Sequence, residues 1–140
     1  MFRYAAFCFI TLLLVVKGFS NDRSPAPPVK IITITVNANG TVYMGTDTIG
    51  TDQLATTLHE RLWRSYLGND KMYDSIKIEW SGEVLMGVKG AALDAVQLAQ
   101  QNTLKDLCLQ KYKRLFEAIG SRQQKRIRKQ FPVLFQKMQW

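Results

Sequence analysis

Apolar and polar positions alternate strictly from Ile32 to Asn37, with Ile32, Ile34 and Val36 set against Thr33, Thr35 and Asn37. A period of two in β-branched residues is the pattern of a strand with one buried face. Asn37-Ala38-Asn39-Gly40 supplies turn chemistry and Thr41 to Met44 reads as the returning strand, so a β-hairpin is expected. Gly45 to Gly50 punctuates the chain, and Thr51 or Asp52 is placed to cap a helix whose apolar face is Leu54, Leu58, Leu62 and Tyr66. Glu60 and Arg64 pair one turn apart on its other side, and Gly68-Asn69 ends it. Ser75 to Trp80 alternates again as a third strand. Gly82 and Gly87 bracket Glu83 to Met86, which either extends that strand past a bulge or crosses to the next element.

From Val88 the period becomes helical. Ala92, Ala95, Val96 and Ala99, then Leu104, Leu107, Cys108, Tyr112, Leu115, Phe116 and Ile119, recur at steps of three and four. One long helix is expected, bent near Gln100 to Thr103 and stopped by Gly120. Ser121 with Gln124 is a capping-box signature for another helix, which Pro132 terminates or kinks. The order strand, strand, helix, strand, helix, helix predicts an α+β fold: a small three- to four-stranded sheet with helices packed on one face, plus a C-terminal helical extension.

The N-terminal pattern is of another kind. After Arg3 the run Ala5 to Val16 carries no charge, and Lys17-Gly18-Phe19-Ser20 closes it with small residues, a signal-peptide layout. A helix over that run reaches roughly 18 Å, against roughly 30 Å of bilayer hydrocarbon, which suits a removed signal peptide better than a spanning helix. Extending the helix from Phe2 to Phe19, with Arg3 and Lys17 snorkelling, gives the alternative of a short membrane anchor. Residues 21–28 (NDRSPAPP) are polar and proline-rich and read as an extended linker. The expected organisation is thus 1–20 export segment or anchor, 21–28 linker, 29–104 α+β domain and 105–140 basic extension packed on it. Beyond residue 20 only Cys108 remains, so no internal disulfide forms, and a buried thiol on a helix is expected.

Charge is uneven along the chain. Asn21 to Leu104 holds seven Lys/Arg and nine Asp/Glu, whereas Lys105 to Trp140 holds ten and two, a balance of +8 in the last quarter. Arg122, Lys125, Arg126, Arg128 and Lys129 form the clearest cluster. At 100° per residue Arg122, Lys125, Arg126 and Lys129 share one helical stripe, beside Ile127 and ahead of Phe131, Val133, Leu134 and Phe135. A solvated helix face explains such a stripe. So does attraction to anionic lipid, cell-wall carboxylates or an acidic partner. Nucleic acid is not an expected partner, because the export segment takes the chain away from it.

Catalytic and ligand-binding chemistry is sparse. The single histidine, His59, fits a partly exposed structural role, and one His with one remaining Cys gives no zinc or haem spacing, so no metal or cofactor is expected. Gly87-Val88-Lys89-Gly90 at a helix start is a weak anion-loop signal beside ordinary turn duty. Asp47, Asp52, Asp70, Asp74 and Asp94 are scattered among turns and helix starts, without the pairing a two-carboxylate hydrolase needs. Trp63, Trp80 and Trp140, with Phe131 and Phe135, read as core or domain-edge packing. A non-enzymatic protein is expected.

The stretch Ile31 to Leu62 resembles the opening of the periplasmic domain of the ExbD/TolR biopolymer-transport family. The resemblance rests on a hairpin turn at Asn39-Gly40, a Tyr-x-Gly exit at Tyr43 and Gly45, and a helix led by a leucine stripe. Ser75 to Ala99 is similar to that family's next strand, loop and helix, so about half of the chain is covered. The resemblance implies an exported, inner-membrane-anchored or periplasmic protein without enzymatic activity. It would act through protein contacts in transmembrane transport or envelope integrity, with a proton-channel subunit, energy-transducing envelope proteins and a second copy of itself as partners. No carboxylate occurs between Met1 and Ser20, so the proton-carrying part would belong to another chain. After Leu104 the family usually ends in a short strand, where this chain has its basic extension. The residues alone support a second reading, a secreted or periplasmic basic protein that binds anionic lipid or cell-wall polymer.

Overall fold

A computed structural model describes residues 27–139; residues 1–26, with the expected export segment and most of the expected linker, and Trp140 lie outside them. The strands are β1 (Ile31–Asn37), β2 (Thr41–Met44), β3 (Asp47–Gly50) and β4 (Ser75–Ser81), and the helices α1 (Thr51–Asn69), α2 (Met86–Tyr112) and α3 (Ser121–Gln130). Short 3₁₀ turns cover Phe116–Ala118 and Pro132–Phe135. The four strands form one mixed sheet in the order β3-β2-β1-β4, with β1 antiparallel to β2 and parallel to β4. Because β1 and β4 run the same way, the chain must cross over between them, and α1 makes the return.

Alternation along the strands decides the layers. Ile32, Ile34 and Val36 of β1, Val42 and Met44 of β2 and Ile76 of β4 are buried, while Thr33, Tyr43, Thr48, Lys77 and Glu79 are exposed. On α1 the i, i+4 row Leu54, Leu58, Leu62 and Tyr66 faces inward; on α2 the row is Ala92, Val96, Ala99, Thr103 and Leu107. The buried apolar residues of these strands and helices belong to one contiguous core, so the helices cover one face of the sheet and the other is open. The fold is α+β, as the order of periodicities predicts.

Several expectations are corrected. Asp47–Gly50 is a strand, not a connection: a four-residue edge strand is too short for its period to stand out from its glycines and threonines. Of the two expectations for the segment after Gly82, whose φ is +79°, the crossing loop holds, over Glu83 to Leu85. Helix α2 passes unbroken through Gln100 to Thr103 and stops at Tyr112, where Lys113 takes a left-handed conformation and donates its N–H to the Leu109 carbonyl. The expected continuation to Ile119 gives way to tertiary bonding, because Phe116 packs against Phe135 while the Gln124 side chain donates to the Phe116 and Ile119 carbonyls. At the start of α3 the cap is also displaced by one residue. Gly120 precedes the helix, Ser121 is its first residue, and the Gln123 side chain, not that of Gln124, accepts the Gly120 N–H. Likewise neither Thr51 nor Asp52 caps α1. Gly50 holds that position, and the Thr51 hydroxyl donates to the Gly40 carbonyl at 2.7 Å.

The boundary expected at residues 104 and 105 falls inside α2, and Ile119, Ile127, Phe131, Val133 and Leu134 join the same core as the sheet. The last segment is joined to the rest by glutamine carboxamides. Gln100 Nε2 donates to the carbonyls of Val133 (2.7 Å) and Gln136 (3.0 Å). Gln136 in turn accepts the Ile76 N–H at 2.9 Å and donates to the Ile76 carbonyl at 2.8 Å. Since β4 is an edge strand, this carboxamide does for the outer side of Ile76 what a neighbouring strand would do.

Candidate functional site

Two surfaces collect the residues singled out in the sequence. The first is the hairpin and its exit. Asn37 rather than Asn39 supplies the side-chain bonds of the turn, its Oδ1 accepting the N–H groups of Asn39 (3.0 Å) and Thr41 (2.9 Å). Gly40 has a φ of +78°, and its carbonyl receives the Thr51 hydroxyl, which ties the turn to the start of α1. Gly45 has a φ of +63°, and a Cβ there would stand 3.0 Å from Arg61 Nη1. The positive φ favours glycine, and a Cβ would also press on the Arg61 side chain. That Arg61 guanidinium reaches the Met44 carbonyl at 2.8 Å and the Asp47 carboxylate at 2.6 Å, clamping the β2–β3 connection onto α1. Tyr43, between Thr35 and Thr48 in register, stands on the open face of the sheet. On that face Lys77 Nζ also meets Glu79 Oε1 at 2.7 Å.

The second surface is α3. Ile127 is its one buried residue. Taking Ile127 as the inward direction, Arg122, Lys125 and Lys129 lie within about 40° of the outward one, and Arg126 flanks them. All four are exposed, and none belongs to an ion pair among the described residues. Arg128, fifth member of the cluster in sequence, behaves differently: its guanidinium stacks 4.5 Å from the Phe135 ring and 5.3 Å from Phe116. It therefore joins the packing, and the other four form the outward stripe.

Other candidates resolve into structure. His59 Nδ1 lies 2.9 Å from Thr103 Oγ1 and Nε2 lies 3.1 Å from Asp106 Oδ2, an order of groups that superficially suits a nucleophile relay. Thr103 is fully buried and its hydroxyl donates to the Ala99 carbonyl at 2.7 Å, so it offers no attacking group, and the histidine links α1 to α2. Cys108 is buried, and burial, then the Glu117 carboxylate, pushes its thiol pKa up, away from the reactive thiolate. Burial followed by the Asp70 and Tyr112 charges likewise raises the Tyr66 phenol. Among the described residues no group of three His, Cys, Asp or Glu side chains is placed to hold a metal ion. No helix among them is long and apolar enough to cross a membrane.

The sequence reading gave no role to Arg61 or to the carboxamides of Gln100 and Gln136, placed Asn37 in the turn without its side-chain bonds, and gave Gln124 the capping part that Gln123 plays. For Asn37 an Asx-turn signal was present in the Asn-x-Asn-Gly string. Gln100 carried only an indirect signal, a polar residue on an otherwise apolar helix row. No family model matches the chain, and no curated protein matches it.

Proposed function

We propose that this chain is a non-enzymatic contact protein of the cell envelope with an ExbD/TolR-like domain, serving transmembrane transport or envelope integrity through protein–protein contacts. The observation that carries the reading is the mixed sheet, covered by helices on one face and leaving Thr33, Tyr43, Thr48, Lys77 and Glu79 displayed on the other. A sheet face rimmed by an ion pair and centred on an exposed tyrosine suits a partner surface better than a substrate pocket. Support also comes from Gly40 and Gly45, residues of the family resemblance, which occupy backbone positions that only glycine fills without strain. The partners in this reading are a proton-channel subunit, an energy-transducing envelope protein and a second copy of the chain.

Fractionation of cells expressing the full chain tests it. Recovery in the inner membrane with Met1 retained, and co-purification with a proton-channel subunit encoded nearby, is the expected result. A soluble protein that begins near Asn21 overturns the anchored transport role. The second reading, a basic protein that engages anionic lipid or cell-wall polymer, is favoured by the four outward cations of α3.

A further inference from the structure

The C-terminal end of α3, the helix that carries the basic stripe, neighbours the point where the chain enters the fold. A cleft of about 830 Å³ has Pro27, Pro28 and Lys30 among its walls together with Lys111, Gln130 and Phe131. The linker therefore meets the domain beside the C-terminal end of α3. This placement matters because the linker leads back to the apolar run Ala5 to Val16. Eight residues of extended linker span at most about 28 Å, while a ten-residue helix is about 15 Å long. If the apolar run is held in a bilayer, α3 can reach the head groups, since its C-terminal end lies beside the point where the chain enters the fold.

We infer that α3 docks flat on the anionic lipid surface of the membrane that holds the chain's own N-terminal segment, through Arg122, Lys125, Arg126 and Lys129. This rests on the retained-anchor form of the function proposed above, and it names the lipid head group as the ligand of the basic stripe. Three observations carry it. The stripe points away from Ile127, so none of its charges is needed inside the fold. Charge is complementary, with ten Lys/Arg against two Asp/Glu from Lys105 onward, and no carboxylate pairs with the four stripe residues among the described residues. Tethering turns a weak surface attraction into an intramolecular one, in which short linkers give millimolar effective concentrations. The stripe's arc carries no apolar side chain, so docking is an electrostatic contact at head-group level, without insertion, and is screened by salt.

The test uses the full chain in lipid nanodiscs of phosphatidylcholine alone, or of phosphatidylcholine and phosphatidylglycerol at roughly 70:30. Lysine acetylation by an N-hydroxysuccinimide ester is followed residue by residue by mass spectrometry. Lys125 and Lys129 should react at least about threefold more slowly in the anionic discs at about 50 mM salt, and the difference should vanish at about 500 mM. Lys77, on the open sheet face, should react alike in both. In the Arg122→Gln/Arg126→Gln variant, which keeps both reporter lysines, the protection should fall by about half or more, with the thermal unfolding midpoint unchanged. Equal rates in the two lipids, or equal protection at both salt concentrations, overturn the inference. Protection that appears only when soluble polyglutamate is added to neutral discs assigns the stripe to a soluble polyanion and overturns it as well. Failure of the chain to co-elute with neutral discs refutes the anchor separately. The same acetylation comparison with added anionic and neutral vesicles then decides the lipid contact.

Discussion

The sheet with its two long helices and the C-terminal segment from Arg114 onward share a core but are held in different ways. In the first region backbone groups bond to backbone, in the β3-β2-β1-β4 ladder and in the helices, and side chains supply apolar volume. In the second, a ten-residue helix and two 3₁₀ turns leave backbone groups without regular partners: Gln100 and Gln124 donate to its carbonyls, Gln123 accepts the Gly120 N–H, and Gln136 reaches out to both backbone groups of Ile76. A glutamine offers both donor and acceptor on a flexible arm, so it can copy a peptide group wherever the chain cannot form a ladder. Regular structure thus holds the domain together, and side-chain amides hold the basic helix onto it.

The largest expected effect lies in the first region. Leu62→Ala, at a fully buried position of α1, should cost about 2–5 kcal/mol in urea unfolding, as buried leucine truncations do. The loss should appear at every probe, including amides of α3, because one core serves both regions. If α3 unfolds in a separate transition, the two regions are independent and the shared-core comparison fails. A middle-sized effect is expected at the join. Gln136→Ala removes both bonds to Ile76 and should cost about 1–3 kcal/mol, with faster hydrogen exchange at the Ile76 amide and little change in the middle of β1. Since Gln100 donates to the Gln136 carbonyl, the Gln100→Ala and Gln136→Ala effects should be non-additive by about 0.5 kcal/mol or more in a double-mutant cycle.

The smallest effect concerns pH. Both Cys108 and Tyr66 have raised pKa values in the folded chain, with burial the first cause of each. The folded state therefore keeps protons that the unfolded chain has already released. Their contribution is complete below the ordinary thiol value of 9.0 and phenol value of 10.0, and it is lost as pH rises beyond them. Stability should decline on the alkaline side, and Cys108→Ala should flatten the early part of that decline, whatever it does to stability at neutral pH. An unchanged slope in chemical denaturation between about pH 9 and 10 would remove Cys108 from this account.

Much of the architecture was legible in the sequence. Ile32, Ile34 and Val36 name β1 because a strand buried on one face must alternate, and Leu54, Leu58, Leu62 and Tyr66 name α1 because a helix with one buried face repeats at four. The outward stripe on α3 follows from the same geometry, since charged side chains opposite a lone buried isoleucine have only solvent to face. Arg128 stands in the same basic run, and only the folded chain distinguishes it, by stacking its exposed guanidinium on Phe116 and Phe135.

What the sequence by itself determined is the set of local periods of β1, β2, β4, α1, α3 and the body of α2, and which side of each is apolar. Only the tertiary structure decided that β4 pairs parallel to β1, that Gln136 covers its outer edge, that α2 stops at Tyr112, and that Pro27 to Lys30 lie beside the end of α3. The physical reason is range. Periodicity records how each residue meets a generic apolar or aqueous side. A pairing partner, a helix stop or a shared surface depends on groups dozens of residues away, and those are chosen when the folded chain satisfies every buried polar group at once.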